Sequence, residues 1–147
     1  MSEYIRFARL PFLLLIIFMI GRLILGARGV PYEQGTWFFS MVVLTNISAF
    51  FFGAFSRRLR GYKWPQAMLL GLTIALGAQA LILLATLVSS LAGAETYFNH
   101  PTALNVEEAV GVGQAFVIRI MGLIVNGIIS TIMGFLGWFG GRLLPEA

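Results

Sequence analysis

The amino-acid sequence predicts an all-α polytopic membrane protein with four transmembrane helices and both termini on the cytoplasmic side. Hydrophobic residues make up 59% of the 147 residues and charged residues only 11%, whereas about one quarter of a typical soluble domain is charged. Four long apolar stretches alternate with short loops, and each stretch is long enough to cross a hydrocarbon core of about 30 Å. We therefore expect residues 1–147 to form a single four-helix transmembrane domain.

The first span is expected over about residues 10–27. Pro11 lies in its first turn, where a missing backbone N–H removes no helical hydrogen bond. A basic start followed by an apolar run is also typical of a signal peptide. However, small residues are poorly placed for cleavage around residues 25–27, and the apolar run resumes after Arg22. We therefore expect a retained helix.

The second and third spans are expected over about residues 37–56 and 65–91. Thr36 is the predicted N-cap of the second span, because its hydroxyl can accept a hydrogen bond from the first helical turn. Pro65 lies in the first turn of the third span. The uncharged run 64–94 would be about 46 Å long as a helix, so this helix must tilt or protrude from the hydrocarbon core.

The fourth span is expected over about residues 119–141, after an outer-face segment at 105–118. Asn105 and Glu108 have the spacing of a capping box, which predicts that a helix begins at Asn105. Gly111 and Gly113 leave two alternatives for this segment. It is either a protruding extension of the fourth helix or an interfacial piece that bends at the glycines.

The positive charges predict the orientation of the helices, because Lys and Arg concentrate in cytoplasmic loops. The inner group comprises Arg6, Arg9, Arg57, Arg58, Arg60, Lys63 and Arg142, and the outer group comprises Arg22, Arg28 and Arg119. Seven charges against three predict cytoplasmic termini, and we expect the membrane to be a bacterial inner (plasma) membrane. This topology also accounts for the net charge of +4 without nucleic acid as a partner.

Composition excludes several kinds of chemistry. Cysteine is absent, which excludes disulfides, thiolate catalysis, cysteine-ligated zinc and iron–sulfur clusters. Aspartate is also absent and His100 is the only histidine, so this chain alone cannot provide bis-histidine ligands to a haem. We therefore expect no metal site, no cofactor and no enzymatic activity.

Small residues spaced three or four apart predict helix contacts, because membrane helices associate through close backbone approach and polar contacts. This packing stripe comprises Gly122, Ser130, Gly134, Gly137 and Gly141 in the fourth span and Ala67, Gly71 and Ala75 in the third. The partner is either another helix of this chain or another subunit. Three polar residues near mid-membrane, Asn46, Gln79 and Asn126, are expected to form interhelical hydrogen bonds, with a polar translocation path as the alternative.

Charged residues and the single histidine gather in the outer loops and helix ends. This candidate outer-face polar cluster comprises Arg22, Arg28, Glu33, Glu95, His100, Glu107, Glu108 and Arg119. One interpretation is that arginine–glutamate pairs pin loops to helix ends. The others are a binding site for a polar or anionic ligand, and arginines that snorkel to the interface.

Two functions are compatible with this pattern. We expect a non-catalytic membrane subunit or assembly factor of a larger complex, with other membrane subunits, or copies of itself, and membrane lipids as partners. The alternative is a small homo-oligomeric transporter, channel or lipid-binding protein for a polar or anionic ligand. Arg22 and Arg119 discriminate between them. A shared cavity favours ligand binding, whereas pairing with loop glutamates favours an architectural role.

Overall fold

A computed structural model describes residues 2–143, which are all-helical, with 82% helix and no strand in that range. Its helices are α1 (Ser2–Phe7), α2 (Arg9–Ala27), α3 (Tyr32–Phe38), α4 (Met41–Arg60), α5 (Trp64–Leu91), α6 (Pro101–Leu104) and α7 (Val112–Gly140), followed by a 3₁₀ turn, Gly141–Leu143. Four helical stretches are long and apolar enough to cross a membrane: Arg9–Ala27, Tyr32–Arg60, Trp64–Leu91 and Val112–Leu143.

The bundle is organised around α5 and α7. These two helices share the most extensive contact, α4 packs against both, and α2 packs against α5 and α4. The buried core lies between α2, α4 and α5 and includes Leu15, Met41, Leu70 and Ile74. At about 1.5 Å per residue, α5 and α7 are each more than about 40 Å long, so both exceed the thickness of a hydrocarbon core.

Glycines let α7 approach α4 and α5 at backbone distance. A Cβ atom added at Gly137 would collide with the carbonyl oxygen of Phe50, and one at Gly71 would collide with that of Ser130. Gly53 on α4 likewise faces the carbonyl oxygen of Gly134. The small-residue stripe of α7 is therefore occupied by two helices of the same chain.

The other members of the stripe differ in their surroundings. Ala67 and Ala75 are fully buried on α5, and Gly141 lies against the backbone of Ala54. Gly122 differs from the sequence-based expectation, because no neighbouring atom lies within 4 Å of the position its Cβ would take. Gly122 therefore lies outside the contact of α7 with its neighbours, although Ala115, nearer the start of α7, is buried.

The second span is broken into two helices, and this corrects the predicted N-cap. Thr36 lies inside α3, and its Oγ1 accepts a hydrogen bond from Arg22 at 3.1 Å. Ser40 is the N-cap of α4, where its Oγ accepts from the backbone N–H of Val43 at 3.4 Å. The Thr36 hydroxyl therefore makes a tertiary contact and does not cap a helix.

The region before the fourth span differs in part from the prediction. α7 extends the predicted span 119–141 back to Val112, but residues 105–111 do not belong to it. Asn105 ends α6 in the left-handed conformation, with a φ of 56°, and its N–H bonds to Thr102 O. Asparagine adopts this conformation more readily than most residues, so Asn105 closes one helix and does not open another. Residues 106–111 are not helical, and α7 begins at Val112 without a bend at Gly113.

Contacts at one end of the bundle join the first residues, the α4–α5 loop and the end of α7. The Tyr62 hydroxyl donates to Glu3 Oε1 at 2.8 Å, and Trp138 Nε1 donates to the Tyr62 carbonyl oxygen at 2.6 Å. Arg58 Nε donates to the Gly141 carbonyl oxygen at 3.1 Å. We call this the inner end and the opposite one the outer end. Both ends of the described chain lie at the inner end.

The glycine contacts predict an asymmetric response to added bulk on α7. The Gly134→Leu substitution should force α7 away from α5 and lower the free energy of unfolding by about 1–3 kcal/mol or more. The Gly122→Leu substitution adds the same side chain on the same helix where space is open, and it should change stability much less. Thermal unfolding in detergent measures both, and equal destabilisation by the two variants would contradict the contact.

The buried Tyr62 predicts a loss of stability at high pH. Burial, followed by the hydrogen bond to Glu3, raises the pKa of Tyr62 from 10.0 to about 12. Because the folded protein holds this proton more tightly, the stabilisation is complete below about pH 10 and is lost as the pH rises through about 12. Unfolding free energy should therefore fall more steeply with pH in the wild type than in the Tyr62→Phe variant. The Tyr4→Phe variant keeps the Tyr62–Glu3 hydrogen bond and serves as the control, so its unfolding free energy should fall with pH as steeply as that of the wild type. Equal slopes in the wild type and Tyr62→Phe would refute the explanation.

Candidate functional site

Two of the predicted outer-face residues, Arg22 and Arg119, line one cavity at the outer end. This arginine cavity has a volume of about 130 Å³, enough for several water molecules or one small oxyanion. The residues that line it come from α2, α3, α4, α5, α7 and the segment that precedes α7. They include Arg22, Arg119, Tyr32, Thr36, Ser40 and Val42.

Arg22 is buried, with 7% of its surface exposed. Its Nη1 donates to Thr36 Oγ1 at 3.1 Å and to the Phe39 carbonyl oxygen at 3.4 Å, and its Nη2 lies 3.5 Å from the Tyr32 hydroxyl. The guanidinium carbon lies 5.5 Å from the ring centres of Tyr32 and Tyr97. Arg22 therefore holds the α3–α4 break against α2.

Arg119 is half-buried near the start of α7. Its Nη2 donates to the Phe98 carbonyl oxygen at 2.6 Å, its Nη1 to the Ala103 carbonyl oxygen at 3.2 Å, and its Nε to Thr86 Oγ1 at 3.3 Å. Two of these three bonds go to the segment between α5 and α7. Arg119 thereby holds this segment, residues 92–111, against the arginine cavity, and we call the segment the roof.

The charge of the two arginines is not balanced within the described residues 2–143. Their partners there are hydroxyls, carbonyl oxygens and aromatic rings, and no described carboxylate lies within ion-pairing distance of either. The lining of the cavity contains both arginines and no acidic residue. The predicted arginine–glutamate pairs are thus not formed, because the glutamates stay on the surface.

The start of α4 adds to the positive potential of the cavity. Ser40, Met41 and Val42, the N-cap and first two residues of α4, all line it. The N-terminus of a helix carries a partial positive charge and backbone N–H groups without helical partners. The break in the second span therefore turns a helix end toward the space between the two arginines.

A second and larger cavity of about 530 Å³, which we call the outer pocket, lies beside the arginine cavity. Glu95, His100 and Tyr32 contribute to its wall, and Tyr32 also lines the arginine cavity. The His100 and Tyr32 rings stack with centres 5.1 Å apart and planes 6° apart. His100 Nδ1 accepts a hydrogen bond from the Thr102 N–H, which makes this ring a structural cap of α6. The Tyr32 ring stands between the two cavities.

The roof segment is anchored by hydroxyl groups. The Tyr97 hydroxyl donates to the carbonyl oxygens of Val30 and Pro31 at 2.9 and 3.1 Å, and burial raises the pKa of Tyr97. Thr96 Oγ1 lies 2.8 Å from Ser89 Oγ. These contacts hold the roof to both α5 and the α2–α3 turn.

The predicted outer-face cluster is therefore divided. Arg22 and Arg119 line the arginine cavity, and Glu95 and His100 line the outer pocket. The remaining four residues are exposed and line neither cavity: Arg28, Glu33, Glu107 and Glu108. No group of three or more potential metal ligands occurs among the residues that the structure describes.

Sequence reasoning missed the hydroxyl groups of this site. Tyr32, Thr36 and Ser40 lie at intervals of four residues, and all three line the arginine cavity. This spacing is typical of one helix face, so it could have indicated from the sequence that the three hydroxyls lie together. The pattern was overlooked because Thr36 also suited the role of an N-cap.

One of the three mid-membrane residues makes an interhelical hydrogen bond. Asn46 Oδ1 on α4 accepts from Ser130 Oγ on α7 at 2.8 Å. Gln79 is buried and Asn126 half-buried, and neither side chain has a hydrogen bond to another described residue. None of the three lines either cavity, so they do not extend the arginine cavity across the bundle.

Comparison with protein-family models, with curated proteins and with solved structures finds no match for this chain. The chemistry of the cavity is therefore the basis for assigning a function.

Proposed function

We propose that this chain is a small integral membrane protein that binds an anionic ligand in the arginine cavity. The observation that carries the proposal is the convergence of Arg22 and Arg119 on one cavity whose lining, among residues 2–143, has no acidic residue. Of the two functions compatible with the sequence, this geometry favours the second. The ligand contains a phosphate, sulfate or carboxylate group, and we treat that group as the recognised chemistry.

The electrostatic argument rests on the cost of burying charge. A buried charged group is unfavourable unless it is paired and hydrogen-bonded, and a second positive charge on the same cavity adds repulsion. An oxyanion between the two guanidinium groups would remove the repulsion and pair both charges. Guanidinium forks match the oxygen spacing of phosphate and carboxylate groups, and the hydroxyls of Tyr32, Thr36 and Ser40 can complete the site.

The accessory-subunit function has weaker support. One basis in the sequence was the small-residue stripe on the fourth span, which offered a surface for another subunit. That stripe contacts α4 and α5 of the same chain, where Gly53 meets Gly134 and Gly71 meets Ser130. Apart from Gln114, the exposed side chains of α7 are apolar, and lipid is sufficient to cover them.

The proposal predicts that the two cavity arginines control anion affinity. The Arg22→Gln and Arg119→Gln variants should each weaken the binding of inorganic phosphate or sulfate at least tenfold, because truncating one partner of a buried charge pair costs about 2–5 kcal/mol. Titration calorimetry of the protein in phosphatidylcholine nanodiscs measures this affinity.

The matched control is Arg28→Gln, which removes the same charge from an exposed position that lines neither cavity. It should leave affinity within about twofold, because an exposed charge is screened by salt. The proposal is wrong if neither cavity variant weakens binding, or if the Arg28 variant weakens it equally.

We further propose that both termini are cytoplasmic, which places the arginine cavity near the outer surface of a bacterial inner membrane. The seven-to-three distribution of Lys and Arg supports this orientation. The chain has no cysteine, so single introduced thiols can be labelled without background. A membrane-impermeant maleimide should label the Glu107→Cys variant in intact cells and the Lys63→Cys variant only after permeabilisation. The opposite pattern would reverse the orientation, and labelling of both variants in intact cells would indicate dual topology.

A further inference from the structure

We infer that the ligand of the arginine cavity is the headgroup of an anionic lipid, which enters sideways from the outer leaflet. This inference rests on the proposed function and adds the ligand class and the direction of access. Three features support it: the roof that covers the cavity, the apolar rim on its side, and the row of exposed apolar residues that continues from that rim.

The roof covers part of the arginine cavity. Phe98 and Ala103 line the cavity from the segment between α5 and α7, and their carbonyl oxygens accept hydrogen bonds from Arg119. Phe98 is only 2% exposed. Tyr32, whose ring stacks on His100, lines both this cavity and the outer pocket. A dissolved anion that approaches from this side would meet these groups first.

The side of the cavity is open and apolar. Val42 lines the cavity and is 42% exposed on the outside of α4. Two of the most exposed aromatic residues, Trp37 at 86% and Phe38 at 76%, lie at the end of α3 beside this rim. Aromatic side chains of this kind concentrate at the membrane–water interface. The rim therefore lies at the depth of lipid headgroups.

A row of exposed apolar side chains continues from the rim along α4. Val43, Ile47, Phe51 and Phe55 lie four residues apart and are between 39% and 54% exposed. Residues with this spacing share one helix face, and the row is about 18 Å long. One leaflet contributes about half of a hydrocarbon core of about 30 Å. A lipid whose phosphate lies between Arg22 and Arg119 would thus have an apolar surface of matching length for its acyl chains.

Charge selects the class of lipid. The cavity lining carries two positive groups and no negative group, so it would stabilise a net anionic headgroup and offers no partner for a choline ammonium. We therefore expect phosphatidylglycerol to be retained over phosphatidylcholine, although both contain a phosphate.

Native mass spectrometry can test the direction of access and the lipid class together. The protein is released from nanodiscs that contain phosphatidylglycerol diluted in phosphatidylcholine, and the bound lipids are counted. The Val42→Phe substitution adds bulk where the bound lipid must leave the cavity, and it should lower retention of phosphatidylglycerol roughly tenfold. The Val42→Leu variant adds less bulk and should show a smaller loss.

The matched control is Val88→Phe, which adds the same side chain at an exposed position on α5 that lines neither cavity and lies outside the row on α4. It should retain phosphatidylglycerol as the wild type does. Inorganic phosphate has no acyl chain, so a change in the row outside the cavity lining separates the two ligands. The Ile47→Gln variant should lower retention of phosphatidylglycerol and keep the wild-type affinity for inorganic phosphate in phosphatidylcholine nanodiscs.

The outcomes separate this inference from the proposed function. Loss of phosphatidylglycerol in Val42→Phe and Ile47→Gln, with unchanged phosphate affinity in Ile47→Gln, supports lateral lipid binding. If Val42→Phe retains phosphatidylglycerol, or Val88→Phe loses it equally, the inference is wrong even if Arg22→Gln and Arg119→Gln still weaken phosphate binding. If the two arginine variants change neither ligand, the proposed function itself fails.

Discussion

The contact of α7 with α4 and α5 at backbone distance determines the rest of the bundle. Glycines at 53, 71 and 137 let carbonyl oxygens occupy positions where any side chain would collide. Such contacts compensate for the small hydrophobic driving force between helices in lipid. Because α7 is a continuous helix of 29 residues, fixing its central part also fixes both of its ends. Arg119 is thereby placed at the arginine cavity and Trp138 at the α4–α5 loop.

The break in the second span and the buried charge of Arg22 stabilise each other. A helix that ends at Phe38 and restarts at Met41 leaves backbone carbonyl and N–H groups without helical partners. The Phe39 carbonyl oxygen accepts a hydrogen bond from Arg22. The carbonyl group left without a helical partner and the buried guanidinium group therefore satisfy each other. Irregular backbone at membrane depth is tolerated where it is buried or lines a polar cavity. Ser40 in this break is half-buried and lines the arginine cavity, and the break turns the N-terminus of α4 toward the arginines.

The sequence predicted the features that depend on hydropathy and local pattern. It predicted an all-helical chain with four long apolar helices, and α5 runs from Trp64 to Leu91 where residues 65–91 were expected. The predicted N-cap at Thr36 and the predicted helix start at Asn105 were wrong. Each of these residue types suits two local roles, and tertiary contacts decide which role it takes. The partners of Arg22 and Arg119 could not be predicted either. Half of them are carbonyl oxygens, which every residue carries and which therefore leave no trace in the sequence, and the other half are hydroxyls.

Arg22 at the outer end lies near aromatic rings, as Arg57 and Arg142 do at the inner end, but it also lines a cavity together with Arg119. At the inner end, Arg57 and Arg142 lie over aromatic rings, 4.4 Å from the centre of Trp138 and 4.7 Å from that of Phe139 respectively. In the proposed orientation, topology accounts for positive charge at the inner end, since cytoplasmic loops are rich in Lys and Arg. The positive-inside rule would then disfavour Arg22 and Arg119 at the outer end. Arg22 is also buried, where its charge is costly. Neutral donors could serve the oxygen partners of both residues equally well, so holding the loops does not require two positive charges. The proposed anion would pair both charges.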